Sequence, residues 1–182
     1  MFKQSIILIL FLLISCSDQT DNTTQEQTTN DVAKVIEKVE PKNVLQSIEF
    51  IKTTDGSSLI IPEAMFDTDA AKEFLATGKN IYVGDAEAIK MGKKRYNLWS
   101  CTQCHGPTAK GQVGPGLTGP DFRYPKDATN KGMFETIWAG TNGGMGAKGF
   151  GLMTADDGVT PDELLKIIAF IRSNGSITGN EE

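Results

Sequence analysis

The stretch Cys101-Thr102-Gln103-Cys104-His105 decides how the rest of this 182-residue chain is interpreted. Two cysteines at this spacing, followed directly by a histidine, form the pattern of a covalent haem attachment site. In such a site both cysteines form thioethers with the haem vinyl groups, and the adjacent histidine is the proximal ligand of the iron. The motif therefore predicts one haem c, attached through Cys101 and Cys104 and ligated by His105.

The same five residues have three other interpretations: a redox-active cysteine pair, half of a zinc site, or two free thiols. A zinc site normally needs a second pair of Cys or His ligands. His105 is the only histidine of the chain, and Cys16 is the only further cysteine. A thioredoxin-like pair would lie beside a βαβ pattern, which the neighbouring sequence lacks. Haem attachment is therefore the favoured interpretation.

Residues 1–15 have the pattern of a secretory signal, with Lys3 followed by an apolar run over residues 6–14. The run is too short to span a membrane. Leu13-Ile14-Ser15-Cys16 resembles a bacterial lipobox, which implies cleavage before Cys16 and acylation of that residue. An ordinary signal peptide that leaves Cys16 free is the alternative. Ser17 after the acylated cysteine favours the outer membrane, by a sorting rule that differs between bacteria.

The residues that follow the signal predict a tether and then a small structured extension. Residues 17–30 are almost all polar, so ordering them would cost entropy without burying apolar surface. Alternating apolar residues around Asp55-Gly56 predict a β-hairpin. Thr68 is a predicted helix N-cap, and Gly78 suits the left-handed position that ends that helix.

Two further helices are predicted around the haem motif. Asp85 is the expected N-cap of a helix whose stripe of Ile89, Gly92, Tyr96 and Trp99 leads directly to Cys101. Near the end of the chain, a capping box with a proline start predicts the clearest helix of the sequence. Its residues are Thr160, Pro161 and Glu163, followed by the apolar face of Leu164, Ile167, Ile168, Phe170 and Ile171.

Met145 is the leading candidate for the sixth iron ligand. It follows a predicted helix capped by Thr129 and lies in the glycine-rich stretch 142–146, where no apolar neighbour explains it as core. It comes 40 residues after His105 (145 − 105 = 40), which leaves room to reach the other haem face. Met153, also in a glycine-rich loop, is the alternative ligand, whereas Met133 falls in a helical stripe and is expected in the core.

Several motifs resemble those of class I cytochromes c, and within them the cytochrome c-L family, which accepts electrons from PQQ-dependent methanol dehydrogenase. The stretches that carry the resemblance are Lys72–Gly78, Gly114–Leu117, Tyr124-Pro125, Phe134–Ile137, Asn142–Gly146 and Thr160–Leu164. The resemblance implies His105 and Met145 as axial ligands. It also implies that the carbonyl of Pro115, in a glycine- and proline-rich loop, accepts a hydrogen bond from the proximal histidine. A plain turn is the alternative role for Pro115.

The expected fold is therefore mostly α: a class I cytochrome c fold preceded by a short β-hairpin and helix. We expect a signal peptide at 1–15, a lipidated cysteine and tether at 16–45, an extension packed on the haem domain at 46–80, a cytochrome c domain at 81–175 and a tail at 176–182. The first and last helices of such domains cross beside the haem. We therefore expect Gly92 and Tyr96 to meet Phe170.

The resemblance implies a periplasmic one-electron carrier, tethered to the membrane by its lipid. Its donor would be a PQQ-dependent methanol or alcohol dehydrogenase, and its acceptor a later cytochrome c or an oxidase. The interval from Met145 to Thr160 is longer than expected for the calcium-enzyme type and favours the lanthanide-enzyme branch. A tethered cytochrome c serving another dehydrogenase is the first alternative.

Composition bears on the remaining function classes. The formal net charge is −5, and no basic cluster is seen, which argues against a nucleic-acid partner. A haem sensor or peroxidase with an open sixth position is the second alternative. With His105 bound to iron, no other histidine is left as an acid or base, so we do not expect an enzyme.

Overall fold

The computed structural model describes residues 47–180. The predicted signal peptide, Cys16 and the tether lie outside the described residues. The described part contains five α-helices: α1 (Asp69–Thr77), α2 (Ala86–Leu98), α3 (Cys101–His105), α4 (Asn130–Ala139) and α5 (Pro161–Ser173). Two short 3-10 helices, Glu63–Met65 and Pro125–Ala128, complete the set. None of the helices within residues 47–180 has the length and apolar character needed to cross a membrane.

The predicted helix ends are confirmed at the residues that cap them. The Thr68 side chain accepts a hydrogen bond from the Ala71 amide, and Gly78 ends α1 with a φ of 74°. Asp85 caps α2 through the Ala88 amide at 2.6 Å. The capping box of Thr160 and Glu163 is present at the start of α5, with Pro161 in the first turn. Local capping chemistry therefore decides where these helices begin and end.

The expected hairpin is a chain reversal with little extended pairing. A single antiparallel bridge joins Ile51 and Ser58, and no strand is formed within residues 47–180. The turn itself is held locally, because the Asp55 carboxylate accepts hydrogen bonds from the amide and hydroxyl of Ser57 at 2.9 and 2.7 Å. One bridge suffices here because the segment is fixed by packing on α4 and not by a partner strand.

Aromatic side chains join the segment before α1 to the helices. The ring centroids of Phe50, Phe66 and Phe74 lie 5.4, 6.3 and 4.9 Å from that of Phe134 in α4. Glu135, the next residue of α4, is 1% exposed and accepts the Ile51 amide at 2.9 Å. The segment before α1 is thus held on α4 in two ways: its aromatic rings pack against Phe134, and its backbone amide at Ile51 is hydrogen-bonded to Glu135.

Helices α2 and α5 cross in close contact, as expected from the sequence. Gly92 faces the backbone of α5 at Lys166, and the rings of Tyr96 and Phe170 lie 5.2 Å apart. Tyr96 is fully buried, and its hydroxyl donates to the carbonyl of Gly106 at 3.0 Å. Through Tyr96, the crossing of α2 and α5 is therefore connected to Gly106, the residue that directly follows His105.

Candidate haem site

A cavity of about 620 Å³ lies between α3, the loop after it, and the helices α4 and α5. The haem motif forms one side of the cavity, through Cys101, Cys104 and His105. Much of the remaining wall is apolar and includes Leu117, Met133, Ile137, Val159, Ile167 and Ile171. Such a wall suits a large flat apolar ring whose iron must be kept from water.

His105 is held in a defined orientation. Its side chain is buried, and Nδ1 lies 2.8 Å from the carbonyl oxygen of Pro115. A carbonyl oxygen can only accept, so Nδ1 must carry the hydrogen and donate it. The other ring nitrogen, Nε2, then keeps its lone pair and is the atom available to a metal.

The loop after α3 brings Pro115 to the histidine by close backbone contacts. The Gly114 amide donates to the carbonyl of Cys104 at 2.7 Å, and the Gly111 amide donates to the carbonyl of His105 at 3.0 Å. A Cβ atom at Gly114 would lie 3.2 Å from Cε1 of the His105 ring. A glycine at 114 therefore lets the chain pass beside the ring before it reaches Pro115.

The two cysteines lie one helical turn apart on α3 and line the cavity. Cys101 is half-buried and Cys104 is exposed. Burial raises the pKa of the Cys101 thiol. Both thiols could therefore bond to one ring in the cavity, Cys101 from a more buried position and Cys104 from a more exposed one.

Met145 lines the cavity, whereas Met153 is not among its lining residues and is 42% exposed. The loop that carries Met145 is closed by a hydrogen bond of 2.8 Å from the Thr141 amide to the Met145 carbonyl. It is also tied to the segment before α1, because the Asn142 side chain donates to the carbonyl of Thr54 at 2.6 Å.

The long interval between Met145 and Thr160 is an excursion that leaves the cavity and returns to it. Gly149 and Val159 form a bridge, and the Val159 amide donates to the Lys148 carbonyl at 2.7 Å. The residues between these two points include Met153, and Val159 is back in the cavity wall. The added length therefore need not displace Met145.

Polar groups that the sequence analysis missed converge on one part of the wall. A Cβ atom at Gly143 would lie 3.3 Å from the Tyr124 hydroxyl, 3.6 Å from Thr141 Oγ1 and 3.8 Å from Arg123 Nε. A cation and two hydroxyls so close together suit carboxylate groups of a ligand. Tyr124-Pro125 was noticed as part of a family resemblance, but nothing in the sequence alone placed these three residues together.

Two further polar features belong to the same cavity. The indole Nε1 of Trp99 is buried and has no hydrogen-bond partner among residues 47–180. Asp127 is 5% exposed, and burial raises its pKa to about 6. Trp99, the last residue of the predicted stripe, is half-buried and lines the cavity. An unpaired donor at the wall is what a ligand carboxylate would satisfy.

The residues present fit haem c. Two thiols, an oriented imidazole and the thioether of a separate loop line the same cavity, and the grouped donors of Arg123, Tyr124 and Thr141 would suit the carboxylates of haem propionates. No cluster of three or more His, Cys, Asp or Glu side chains that could hold a separate metal ion occurs in the part of the chain that the structure describes. The fold and cavity are those of a class I c-type cytochrome.

The similarity to known proteins agrees with this class. The family model for cytochrome c matches residues 89–175. Cytochrome c-L of Methylorubrum extorquens is 38% identical over 128 residues, which are 69% of this chain and 61% of that protein. This chain thus spans less than two thirds of that relative.

Two solved structures are also similar. The crystal structure of cytochrome cL from the marine methylotrophic bacterium Methylophaga aminisulfidivorans has a TM-score of 0.60 and 39% identity, covering 69% of this chain and 79% of that one. Cytochrome cL from Hyphomicrobium denitrificans has the same TM-score and identity, over 73% of its chain. The chain belongs to the cytochrome c family, and these relatives within it are cytochromes c-L. Membership implies one covalently bound haem c.

Proposed function

We propose that this protein is a periplasmic one-electron carrier that accepts electrons from a PQQ-dependent methanol or alcohol dehydrogenase. The observation that carries the proposal is the shared cavity of Cys101, Cys104, His105 and Met145. It offers two points of attachment and two ligands of the kinds that leave a haem iron with no open position.

In this proposal each residue has a separate task. Cys101 and Cys104 would attach the cofactor, and the Pro115 carbonyl orients the His105 ring and leaves Nε2 as the nitrogen that would hold the iron. Met145 would supply the other iron ligand, and methionine combined with histidine as the ligand pair raises the reduction potential. The bound haem supplies a one-electron Fe(III)/Fe(II) couple. The apolar part of the wall would keep water away from the bound cofactor.

The donor is proposed from the relatives, which are cytochromes c-L. Electron transfer needs a cofactor edge within reach of the partner. Cys104 is exposed at the cavity, and Val113, which also lines it, is 84% exposed. We propose that the donor meets this opening in a small, short-lived contact, as redox partners usually do. The electron then passes to a later cytochrome c or an oxidase.

Stopped-flow mixing with substrate-reduced dehydrogenase tests the donor. We expect the oxidised cytochrome to be reduced at a rate that depends on dehydrogenase concentration. The matched control is a class I cytochrome c from an electron-transport pathway that does not oxidise methanol. If this protein were reduced no faster than the control cytochrome, or not at all, the specific donor would be refuted. The protein would then be an electron carrier for another dehydrogenase, which is the first alternative function.

The absorption spectrum tests the ligands. We expect a low-spin c-type spectrum with the weak near-infrared band of iron–methionine bonding. A high-spin spectrum that changes with carbon monoxide or cyanide would favour a sensor or peroxidase with an open iron position. Asp127 is the one carboxylate among the described residues that line the cavity, and it is the group that such an enzyme or sensor could use.

Membrane attachment is part of the proposal and depends on residues outside the described ones. The signal pattern of residues 1–15 and Cys16 support export and acylation, with the outer membrane favoured by Ser17. We expect labelled fatty acid to be incorporated into the wild-type protein and not into Cys16→Ser. Release of the wild-type protein from washed membranes would contradict the anchor.

A further inference from the structure

Asp127 is a buried carboxylate in the cavity wall that the proposed electron transfer does not use. It lies in the short 3-10 helix Pro125–Ala128, is 5% exposed and lines the same cavity as His105 and Met145. A buried carboxylate normally has a charged partner or several donors. The single hydrogen bond to its side chain within residues 47–180 comes from Thr136 Oγ1, at 2.6 Å to Oδ1.

The donor of that hydrogen bond is part of a chain of hydroxyls. Thr136 has one hydroxyl hydrogen, which it gives to Asp127, so it must accept at its oxygen from Thr53 at 2.8 Å. Thr53 is half-buried and lies in the segment before α1. The chain of Thr53, Thr136 and Asp127 therefore leads from a half-buried hydroxyl to the cavity wall and offers a route for proton exchange with solvent.

The charged groups packed around Asp127 are largely occupied elsewhere. Lys126 lies 2.5 Å from Glu135, which also binds Lys131 at 2.6 Å. Arg172 of α5 donates through Nη2 to the backbone carbonyl of Asp127 at 2.7 Å. Burial raises the pKa of Asp127 to about 6; Thr136, Lys126 and Arg172 oppose this rise, and Glu135 adds to it.

On the cavity side, the titratable and charged residues that share the wall with Asp127 are Arg123, Tyr124, Lys148, His105 and the two haem-motif cysteines, Cys101 and Cys104. His105 is committed to the metal in the proposed function. The cations at the cavity would lower the proton affinity of Asp127, but they are also the groups available to haem propionates. Asp127 is the one carboxylate among the described residues that line the cavity. It forms no ion pair within residues 47–180.

We propose that Asp127 couples electron transfer to proton uptake, by binding a proton when the site is reduced and releasing it when the site is oxidised. Reduction adds one electron from the donor and removes one positive charge from the cavity. The Asp127 carboxylate then loses part of its electrostatic stabilisation and takes a proton from solvent through Thr136 and Thr53. Reoxidation sends the electron to the acceptor and returns the proton to solvent.

The sign of the coupling follows from the charges. The proton affinity of Asp127 is lower in the oxidised state, because a positive charge across the cavity favours the carboxylate. In general, at an effective dielectric constant of about 20, a unit charge roughly 10 Å from a carboxylate changes its pKa by roughly one unit, which sets the scale expected for the separation. The reduction potential should therefore fall as pH rises between these two pKa values, and level off on either side.

The inference rests on the proposed position of the haem in this cavity, and not on the identity of the donor. The test is a spectroelectrochemical titration of the holoprotein from about pH 4 to pH 9, a range that brackets the expected pKa values. We expect the wild-type potential to fall through one inflection. In Asp127→Asn that inflection should be lost, and the potential above it should be higher, because a negative charge is removed.

Two further variants sharpen the result. Asp162→Asn is the matched control, since Asp162 lies at the start of α5, outside the cavity, and its hydrogen bonds lower its pKa. It should keep the wild-type inflection. Thr136→Val removes the hydrogen bond that favours the charged carboxylate, so the inflection should move to higher pH. An unchanged inflection in Asp127→Asn would overturn the proposal and assign the proton to another group, such as a haem propionate.

An infrared measurement keeps the proposal testable if Asp127→Asn does not accumulate. The reduced-minus-oxidised difference spectrum of wild-type protein should contain a positive band of a protonated carboxyl group. That band should shift when the aspartate side-chain carboxyls carry carbon-13, whereas propionate bands should not. Absence of a label-sensitive band would refute the coupling. Normal His/Met spectra with a pH-independent potential would refute it without affecting the carrier function.

Discussion

A Cβ atom on Gly92 of α2 would lie 1.9 Å from the carbonyl oxygen of Lys166 in α5. The two helix backbones therefore touch at this point, and the contact is possible only because residue 92 has no side chain. It places Tyr96 against Phe170 and brings Ile167, the residue after Lys166, into the cavity wall. One missing side chain thus sets the position of the wall that faces the haem motif.

Replacing Gly92 with valine should prevent stable haem protein from accumulating. The new side chain meets backbone atoms, which cannot rotate away, so the cost exceeds the roughly 1–3 kcal/mol of ordinary overpacking. Haem-stained gels and the Soret absorbance of purified protein measure the yield. Lys93→Val, on the exposed side of the same helix, should accumulate normally. Wild-type yield of Gly92→Val would show that the helices can separate without loss of the cofactor.

Met145→Ala should open the iron to external ligands. Loss of the thioether should lower the reduction potential by on the order of 100 mV, well within the span of about 0.8 V that axial ligands command. The near-infrared band should disappear, and the reduced protein should bind carbon monoxide. Met153→Ala should behave as wild type, since Met153 is not in the cavity wall. The reverse pattern would transfer the ligand role to Met153.

Glu135 connects the segment before α1 to α4, and its loss should loosen that connection. The carboxylate binds Lys126, Lys131 and the amide of Ile51 while being 1% exposed. Glu135→Leu leaves the Ile51 amide without its partner and should lower the free energy of unfolding by about 2–3 kcal/mol. Glu135→Gln keeps an acceptor for that amide and should cost less, about 1 kcal/mol.

Guanidinium unfolding curves of the holoprotein measure both Glu135 variants. Glu87→Gln is the matched control, since Glu87 pairs with Lys90 at 3.6 Å on the exposed side of α2. That change should alter stability by less than about 0.5 kcal/mol. Equal stability of Glu135→Leu and Glu87→Gln would mean that the buried carboxylate does not hold the extension.

Asp162 should contribute to a loss of stability in acid. Burial acts to raise its pKa, but hydrogen bonds from Lys166, Tyr82 and Thr68 outweigh burial and lower it. A lowered pKa means that the native state binds fewer protons than the unfolded state, so the contribution is present above the ordinary pKa near 3.8 and is lost as pH falls through the native value.

Unfolding midpoints at neutral pH and at about pH 3 measure this dependence. Asp162→Asn should be less stable than wild type at neutral pH and should lose less on acidification. Tyr82→Phe removes one hydrogen bond, of 2.7 Å, and should show a smaller change in the same direction. If Asp162→Asn loses as much stability in acid as the wild-type protein, Asp162 is excluded as the responsible group.

Much of the architecture was predictable because it depends on neighbours in sequence. Caps at Thr68, Asp85 and Thr160 act over three residues, and the structure has all three. The hairpin prediction was less exact, because strand pairing depends on what lies beside the segment. Packing of Phe50 on Phe134 holds that segment with a single bridge.

The sequence by itself determined the kind of cofactor, because five consecutive residues carry the two thiols and the imidazole of a haem attachment motif. The glycine at 92 likewise predicted a close helix contact. Only the tertiary structure decided which other groups face the cavity. Asp127, Arg123 and Trp99 reach it from separate elements, and Glu135 is surrounded by lysines and an amide from two regions of the chain. Local patterns report bonds between near neighbours, whereas burial and the field at a carboxylate arise from residues distant in sequence.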